Sequence, residues 1–185
     1  MHATLLTPSR RSFLKMGGLG LAAIIGGGYV AARLTDGTAE PLLEKSVNLT
    51  PSVQQMLYRV FDSVLHGMLP AGEEQRLLVT TVAILDQGVS GLPLAVQEEL
   101  KGLLQMLTFA PTRFALAGKW GGWANASRED VSNLMVSLQN SSIGLRRLIY
   151  ITMHDLATSS FYANPQTWAP IGYGGPLLEG PGEEV

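Results

Sequence analysis

The chain has no cysteine among its 185 residues. That excludes disulfides, thiolate nucleophiles, Cys-ligated zinc or iron–sulfur sites, and haem attached through C-x-x-C-H. Histidine is nearly as scarce: His2, His66 and His154 are too few and too scattered for a multi-histidine metal site. Charged residues make up only 15% and the net charge is −2, so the basic excess of a nucleic-acid binder is missing. There is no G-x-S-x-G elbow, and Gly26-Gly27-Gly28 lacks the strand and G-x-G-x-x-G context of a dinucleotide site. Alternating strand patterns with hairpin turns and internal repeats are also lacking. What the chain does have is 46% hydrophobic content, too much for intrinsic disorder, in a length that suits one compact domain with a short appendage.

The few charges are unevenly placed. Residues 1–33 carry Arg10, Arg11, Lys15 and Arg33 and no acid, whereas the remainder holds nine bases against fifteen acids. Ser9-Arg10-Arg11-Ser12-Phe13-Leu14-Lys15 precedes seventeen uncharged residues, Met16 to Ala32. This segment resembles the twin-arginine export signal, Ser/Thr-Arg-Arg-x-Phe-Leu-Lys, at every position. Six glycines in the uncharged run weaken any core helix by ~1 kcal/mol each relative to alanine, which argues for a leader instead. Val30-Ala31-Ala32 offers the small residues a signal peptidase reads, so cleavage after Ala32 is expected. The alternative is a retained anchor: seventeen helical residues span ~25 Å against a ~30 Å hydrocarbon core, with Arg33 able to snorkel. Residues 1–34 are therefore read as the export segment, and the chain as periplasmic with the inner membrane nearby.

Beyond a polar linker (35–49) the pattern turns helical. Thr50-Pro51 is an N-cap with proline at the first helical position, and Val53, Met56, Leu57, Val60, Phe61, Val64, Leu65 and Met68 form one apolar face. A second helix begins near Glu73-Glu74 and runs to Val89; it is apolar over much of its circumference and is expected to be central. A third opens at Pro93, with Val96, Leu100, Leu103, Leu104 and Leu107 inward. A short fourth is expected from Pro111 to Gly118. Ser127 with Asp130 resembles a capping box before a fifth helix. The sixth, from Ile143 to Phe161, is expected to bury Leu145, Leu148, Ile149, Thr152 and Leu156. The sequence thus predicts an all-α compact bundle of about six helices (50–163). An N-terminal signal or anchor helix precedes it, and an extended Pro/Gly-rich tail (164–185) completes the chain.

Catalytic apparatus is not visible. His154-Asp155 suggests a base with its orienting carboxylate, but helix neighbours point about 100° apart. The acid pairs Glu73/Glu74, Glu98/Glu99 and Glu129/Asp130 stand in or near first turns, where they complement the helix dipole. Arg146-Arg147 is a solvated face or a contact for a partner's acids. Large rings on irregular backbone stand out instead. Trp120 and Trp123 lie in a glycine-containing loop, and Phe161-Tyr162, Trp168, Ile171 and Tyr173 lie at the C-terminal end. Trp120 is assigned to the core. Trp123, Phe161, Tyr162, Trp168, Ile171 and Tyr173 are candidate interface anchors.

Phe161-Tyr162-Ala163-Asn164-Pro165-Gln166-Thr167-Trp168-Ala169-Pro170-Ile171-Gly172-Tyr173-Gly174-Gly175-Pro176 resembles the end of the small subunits of flavin-dependent membrane-bound dehydrogenases, the gluconate 2-dehydrogenase subunit 3 type. The shared features are an aromatic pair, Asn-Pro, a tryptophan three residues later, Ile-Gly-Tyr and Gly-Pro. A twin-arginine leader before a small helical domain matches the same plan. The resemblance implies a noncatalytic subunit, binding no cofactor itself. Such a subunit escorts a signal-less FAD-dependent catalytic subunit of the glucose–methanol–choline class through the twin-arginine translocase. Electrons then leave through a separate multihaem cytochrome c subunit. Two other readings stay open on the residues alone: a free-standing periplasmic helical binding or envelope protein, and a small enzyme using His154 and Asp155.

The leader gives the first prediction. Arg10→Lys with Arg11→Lys keeps the charge but removes the paired guanidinium groups, which lysine does not imitate. Fractionation should then find the chain in the cytoplasm, and undiminished periplasmic levels would refute the signal assignment.

Overall fold

A computed structural model describes residues 40–109, 112 and 122–175. Among them are α1 (Pro51–Val64), α2 (Glu74–Val89), α3 (Leu94–Thr108), α4 (Arg128–Gln139) and α5 (Gly144–Tyr162), with no strand. Single 3-10 turns occur at Trp123–Asn125, Pro165–Thr167 and Ala169–Ile171. The all-α expectation is met, and these are five of the six helices read from the sequence. The expected helix from Pro111 to Gly118, Trp120, the leader and residues 176–185 lie outside the described residues.

Local chemistry sets the helix ends. Pro51 occupies the first turn of α1, although the Thr50 side chain makes no capping bond. At α4 the capping box is complete: Asp130 N–H donates to Ser127 Oγ at 3.1 Å, and Ser127 N–H donates to the Asp130 carboxylate at 3.0 Å. Hydrogen bonds from the Ser127 hydroxyl, then from its backbone N–H, hold the Asp130 carboxyl below its usual range. Gly67 and Gly72 turn the chain between α1 and α2 with φ of +85° and +84°, a region where a side chain would be strained.

The central helix is α1, not α2. Each of the other four helices packs against α1. Met56, Leu57, Val60, Phe61 and Leu65 are fully buried as a result. Helix α2 packs mainly on α1 and α5 and leaves Val79, Ala83 and Ile84 only partly covered. An apolar circumference is thus a weaker sign of centrality than a stripe that continues on both flanks of one helix. Helix α5 also turns away from the expected face: Ile149, Met153, Ala157, Ser160 and Phe161 are buried, while Leu145 and Leu148 are exposed. The i, i+4 spacing of the buried set selects this stripe, and Leu145 and Leu148 fall beside it.

Side-chain pairs fix how the helices run. Arg128 donates from Nε and Nη2 to the two oxygens of Asp62 at 3.0 and 2.7 Å, joining the start of α4 to the end of α1. Arg76 at the start of α2 donates to Gln166 Oε1 at 2.9 Å, just beyond the end of α5. Arg146 at the start of α5 donates to Ser137 Oγ at 2.7 Å near the end of α4. The bundle therefore has two distinct ends. At the first, the starts of α1, α3 and α5 meet the finishes of α2 and α4. At the second, α1 and α5 finish while α2 and α4 begin.

Residues 40–49 are not a free linker. The Asp86 carboxylate on α2 accepts from Ser46 Oγ at 2.8 Å and from the backbone N–H groups of Val47, Asn48 and Leu49, each at 2.9 Å. Gln54 Oε1 accepts from Leu42 N–H and Leu43 N–H at 2.9 and 3.1 Å, and its Nε2 donates to Leu49 O at 2.9 Å. With its backbone satisfied, the segment drops Leu43 and Leu49 into the core. Both polar side chains are buried, Asp86 at 3% exposure and Gln54 at 1%, and both are fully occupied by this one segment.

Burial alone would raise the Asp86 carboxyl, but bonds from Val47, Ser46, Asn48 and Leu49 outweigh it and hold the group below its ordinary 3.8. A depressed native value stabilises the fold above the unfolded-state pKa, and that contribution fades as pH falls through the native one. Asp86→Ala should lower unfolding free energy by about 2–4 kcal/mol at neutral pH, because buried donors lose a charged acceptor. Denaturant melts at pH 7 and below pH 4 provide the check: the gap between wild type and variant should narrow in acid. A constant gap would assign the loss to packing instead.

Candidate functional site

The second end of the bundle is built around the finish of α5. The last carbonyls of a helix have no intrahelical partner and need donors from elsewhere. Here residues just beyond the helix supply them: Thr167 Oγ1 donates to Phe161 O at 3.0 Å, and Trp168 Nε1 donates to Tyr162 O at 2.7 Å. Asn164 starts the next turn, its Oδ1 accepting from Gln166 N–H at 3.1 Å. Asn-Pro-Gln-Thr-Trp is thus a capping device that folds the chain back instead of letting it run on. Over 164–171 the tail consists of two 3-10 turns, not the extended chain expected from its proline and glycine content.

Trp168 organises residues 169–175. Its ring meets Tyr173 edge-on with centroids 5.2 Å apart, and Tyr173 N–H donates to Trp168 O at 3.1 Å. Gly172 and Gly175 take φ of +72° and +98°, and a Cβ at Gly175 would stand 3.2 Å from Trp168 Cζ3. The result is a small knob in which Trp168 is half-buried. Tyr173 and Ile171 remain exposed at 49% and 55%. Beside the knob lies an open groove of about 260 Å³ whose lining includes Met68, Leu77, Phe161, Pro170 and Ile171. It is apolar, and Gln166 and Thr167 at its edge are already engaged with Arg76 and the end of α5.

Of the six candidate anchors, the structure brings Tyr162, Trp168, Ile171 and Tyr173 together at this end. Two are corrected to core residues. Phe161 is 2% exposed, its ring meeting Tyr162 edge-on at 5.3 Å. Trp123 is 5% exposed, with Nε1 donating to Leu107 O at 2.9 Å, and it joins the α3 end to α1. Both occupy positions where a large ring fills space between helices, so neither is accessible to a partner in this fold.

The remaining candidate chemistry does not assemble. His154 Nδ1 stands 3.6 Å from Asp155 Oδ1 with both side chains in solvent, beyond hydrogen-bond distance. His66 is exposed, and Glu73 pairs with Arg76 on the surface. Among the described residues no group of three or more His, Asp or Glu is placed to hold a metal ion, and no helix is long and apolar enough to cross a membrane. The export-signal residues Ser9, Arg10, Arg11, Phe13, Leu14, Lys15 and the Ala32 cleavage position lie outside the described residues. No protein-family model, curated protein or solved structure matches the chain.

The capping geometry separates two kinds of tryptophan. Trp123→Ala should cost about 3–5 kcal/mol, as expected for emptying a packed aromatic site. Trp168→Ala should cost no more than about 1–2 kcal/mol, since it removes one hydrogen bond and a surface ring pair. It should, however, open residues 169–175 to limited proteolysis while leaving the helical circular dichroism intact. Equal melting losses for the two variants would show that the knob is part of the core.

Proposed function

We propose that the chain is a noncatalytic small subunit. It carries a twin-arginine signal and escorts a folded, FAD-dependent dehydrogenase subunit of the glucose–methanol–choline class to the periplasm, remaining bound there. Within such an assembly FAD belongs to the catalytic subunit, and electrons pass on to a multihaem cytochrome c subunit. The observation that carries this reading is the C-terminal knob. The sixteen residues with the family resemblance fold, over their described part, into a braced surface feature with Ile171 and Tyr173 outward beside an apolar groove. Exposed aromatics on a pre-ordered backbone are suited to an interface, because little conformational entropy is lost on docking. A second line of support is the export route itself. The twin-arginine system carries folded proteins, which suits a cofactor-loaded passenger.

Co-expression with a signal-less FAD-dependent dehydrogenase subunit of the glucose–methanol–choline class, followed by affinity capture of this chain, tests the reading. A yellow complex with flavin absorption is expected, whereas a free-standing helical protein would emerge alone and colourless. The double substitution Ile171→Ala with Tyr173→Ala should weaken that association by about 2–4 kcal/mol, roughly 30- to 1,000-fold. It should leave the melting midpoint of the chain nearly unchanged. Full recovery of the flavoprotein with the double variant would place the interface elsewhere.

A further inference from the structure

Apart from the knob and Met68 beside it, the exposed large apolar side chains gather towards the opposite end of the bundle. There Val136 is 52% exposed, Ile143 57%, Leu145 51% and Leu148 46%, all on the hairpin of α4 and α5. Val47, on the segment clamped by Asp86, is 83% exposed, and Leu94 at the start of α3 is 69% exposed. Three separate stretches of chain thus present bare aliphatic groups at one end, more than scattered surface residues account for. The hairpin also carries charge of one sign. Between Asp130 and Asp155 the hairpin holds no acid, only Arg146 and Arg147. Glu40, Glu44 and Lys45 on the incoming segment and the exposed Glu98 and Glu99 near the start of α3 lie at the same end, so the positive charge is confined to the hairpin itself.

The chain enters the described fold at this same end. Gln55 Nε2 donates to Glu40 O at 3.0 Å, next to the start of α1. Only residues 33–39 separate Glu40 from the uncharged run Met16–Ala32, and seven residues reach at most ~25 Å. As long as the leader is attached, whatever takes up that apolar run is therefore held close to the bare end of the bundle.

We propose that this end docks on an anionic bilayer surface. Ile143, Leu145 and Leu148 enter the boundary between headgroups and acyl chains, and Arg146 and Arg147 meet lipid phosphates. Apolar side chains backed by arginine are the composition of a surface-lying membrane contact. The inference goes beyond the escort reading and does not rest on it. The two use opposite ends of the molecule, so a membrane-docked chain would still present the knob to a partner.

The absence of cysteine makes the test direct, since any single cysteine introduced is the only one to label. Full-length chain carrying Leu148→Cys or Tyr173→Cys, each bearing an environment-sensitive nitrobenzoxadiazole dye, is titrated with phosphatidylcholine vesicles with or without phosphatidylglycerol. A blue shift and brightening are expected at position 148 with the anionic vesicles and not at position 173. Adding Ile143→Glu and Leu145→Glu should weaken that response by about tenfold or more. These positions are exposed, so an unchanged helical spectrum should accompany the loss. The proposal is overturned if the chain sediments with vesicles but the label at 148 does not respond, which would leave the leader as the sole contact. Equal responses at both labels, or on phosphatidylcholine alone, overturn it too. So does a concentration-dependent shift without vesicles, which would mark a second copy or the chain's own leader as the occupant.

Discussion

Helix α1 has to be covered on nearly all sides, and the rest of the fold is arranged by that need. Val53, Met56, Leu57, Val60, Phe61 and Leu65 spread over more of the helix than one neighbour can bury. Helices α2 and α5 cover one flank, α4 another, and α3 with the Trp123 turn closes the remainder. Each covering helix needs only a narrow apolar stripe of its own. That is why α4 and α5 have solvent-facing sides, and why apolar residues there are left over for other uses.

Polar groups inside this arrangement are tolerated because each has a defined task. Gln54 sits within the α1 stripe and Asp86 within the α2 stripe, and both spend their hydrogen-bonding capacity on the segment before α1. Asp62 is nearly buried and answered bidentately by Arg128. An unpaired carboxylate at either acid position would cost several kcal/mol. The polar contacts therefore specify one packing order, while apolar area supplies most of the driving force.

The sequence made some of this legible and hid the rest for identifiable reasons. Helix limits at Pro51, Val89, Pro93 and Ser127 were readable because caps and prolines act within a few residues. The all-α class followed from unbroken i, i+3, i+4 spacing. The centrality of α1 was not readable, since it depends on which elements meet in space. Asp86 and Gln54 did leave a signal: a carboxylate among Val82, Leu85 and Val89, and an amide beside Val53 and Leu57, have to find partners. Their partner was a segment whose polar composition resembles that of an ordinary linker. At the tail, proline and glycine content suggested extension, whereas those residues serve tight turns under a tryptophan that caps a helix.

The grip of Asp86 on the incoming segment has a mechanical consequence. A pull on the chain ahead of residue 40 reaches α1 only after passing through residues 46–49. There, one carboxylate holds one hydroxyl and three amides, so the load is shared among four bonds instead of breaking them in sequence. Gln54 carries the residues just ahead in the same way. A domain drawn along by its N-terminal end is thus strained at a clamp braced against a second helix, and its central helix is shielded from being peeled out of the bundle.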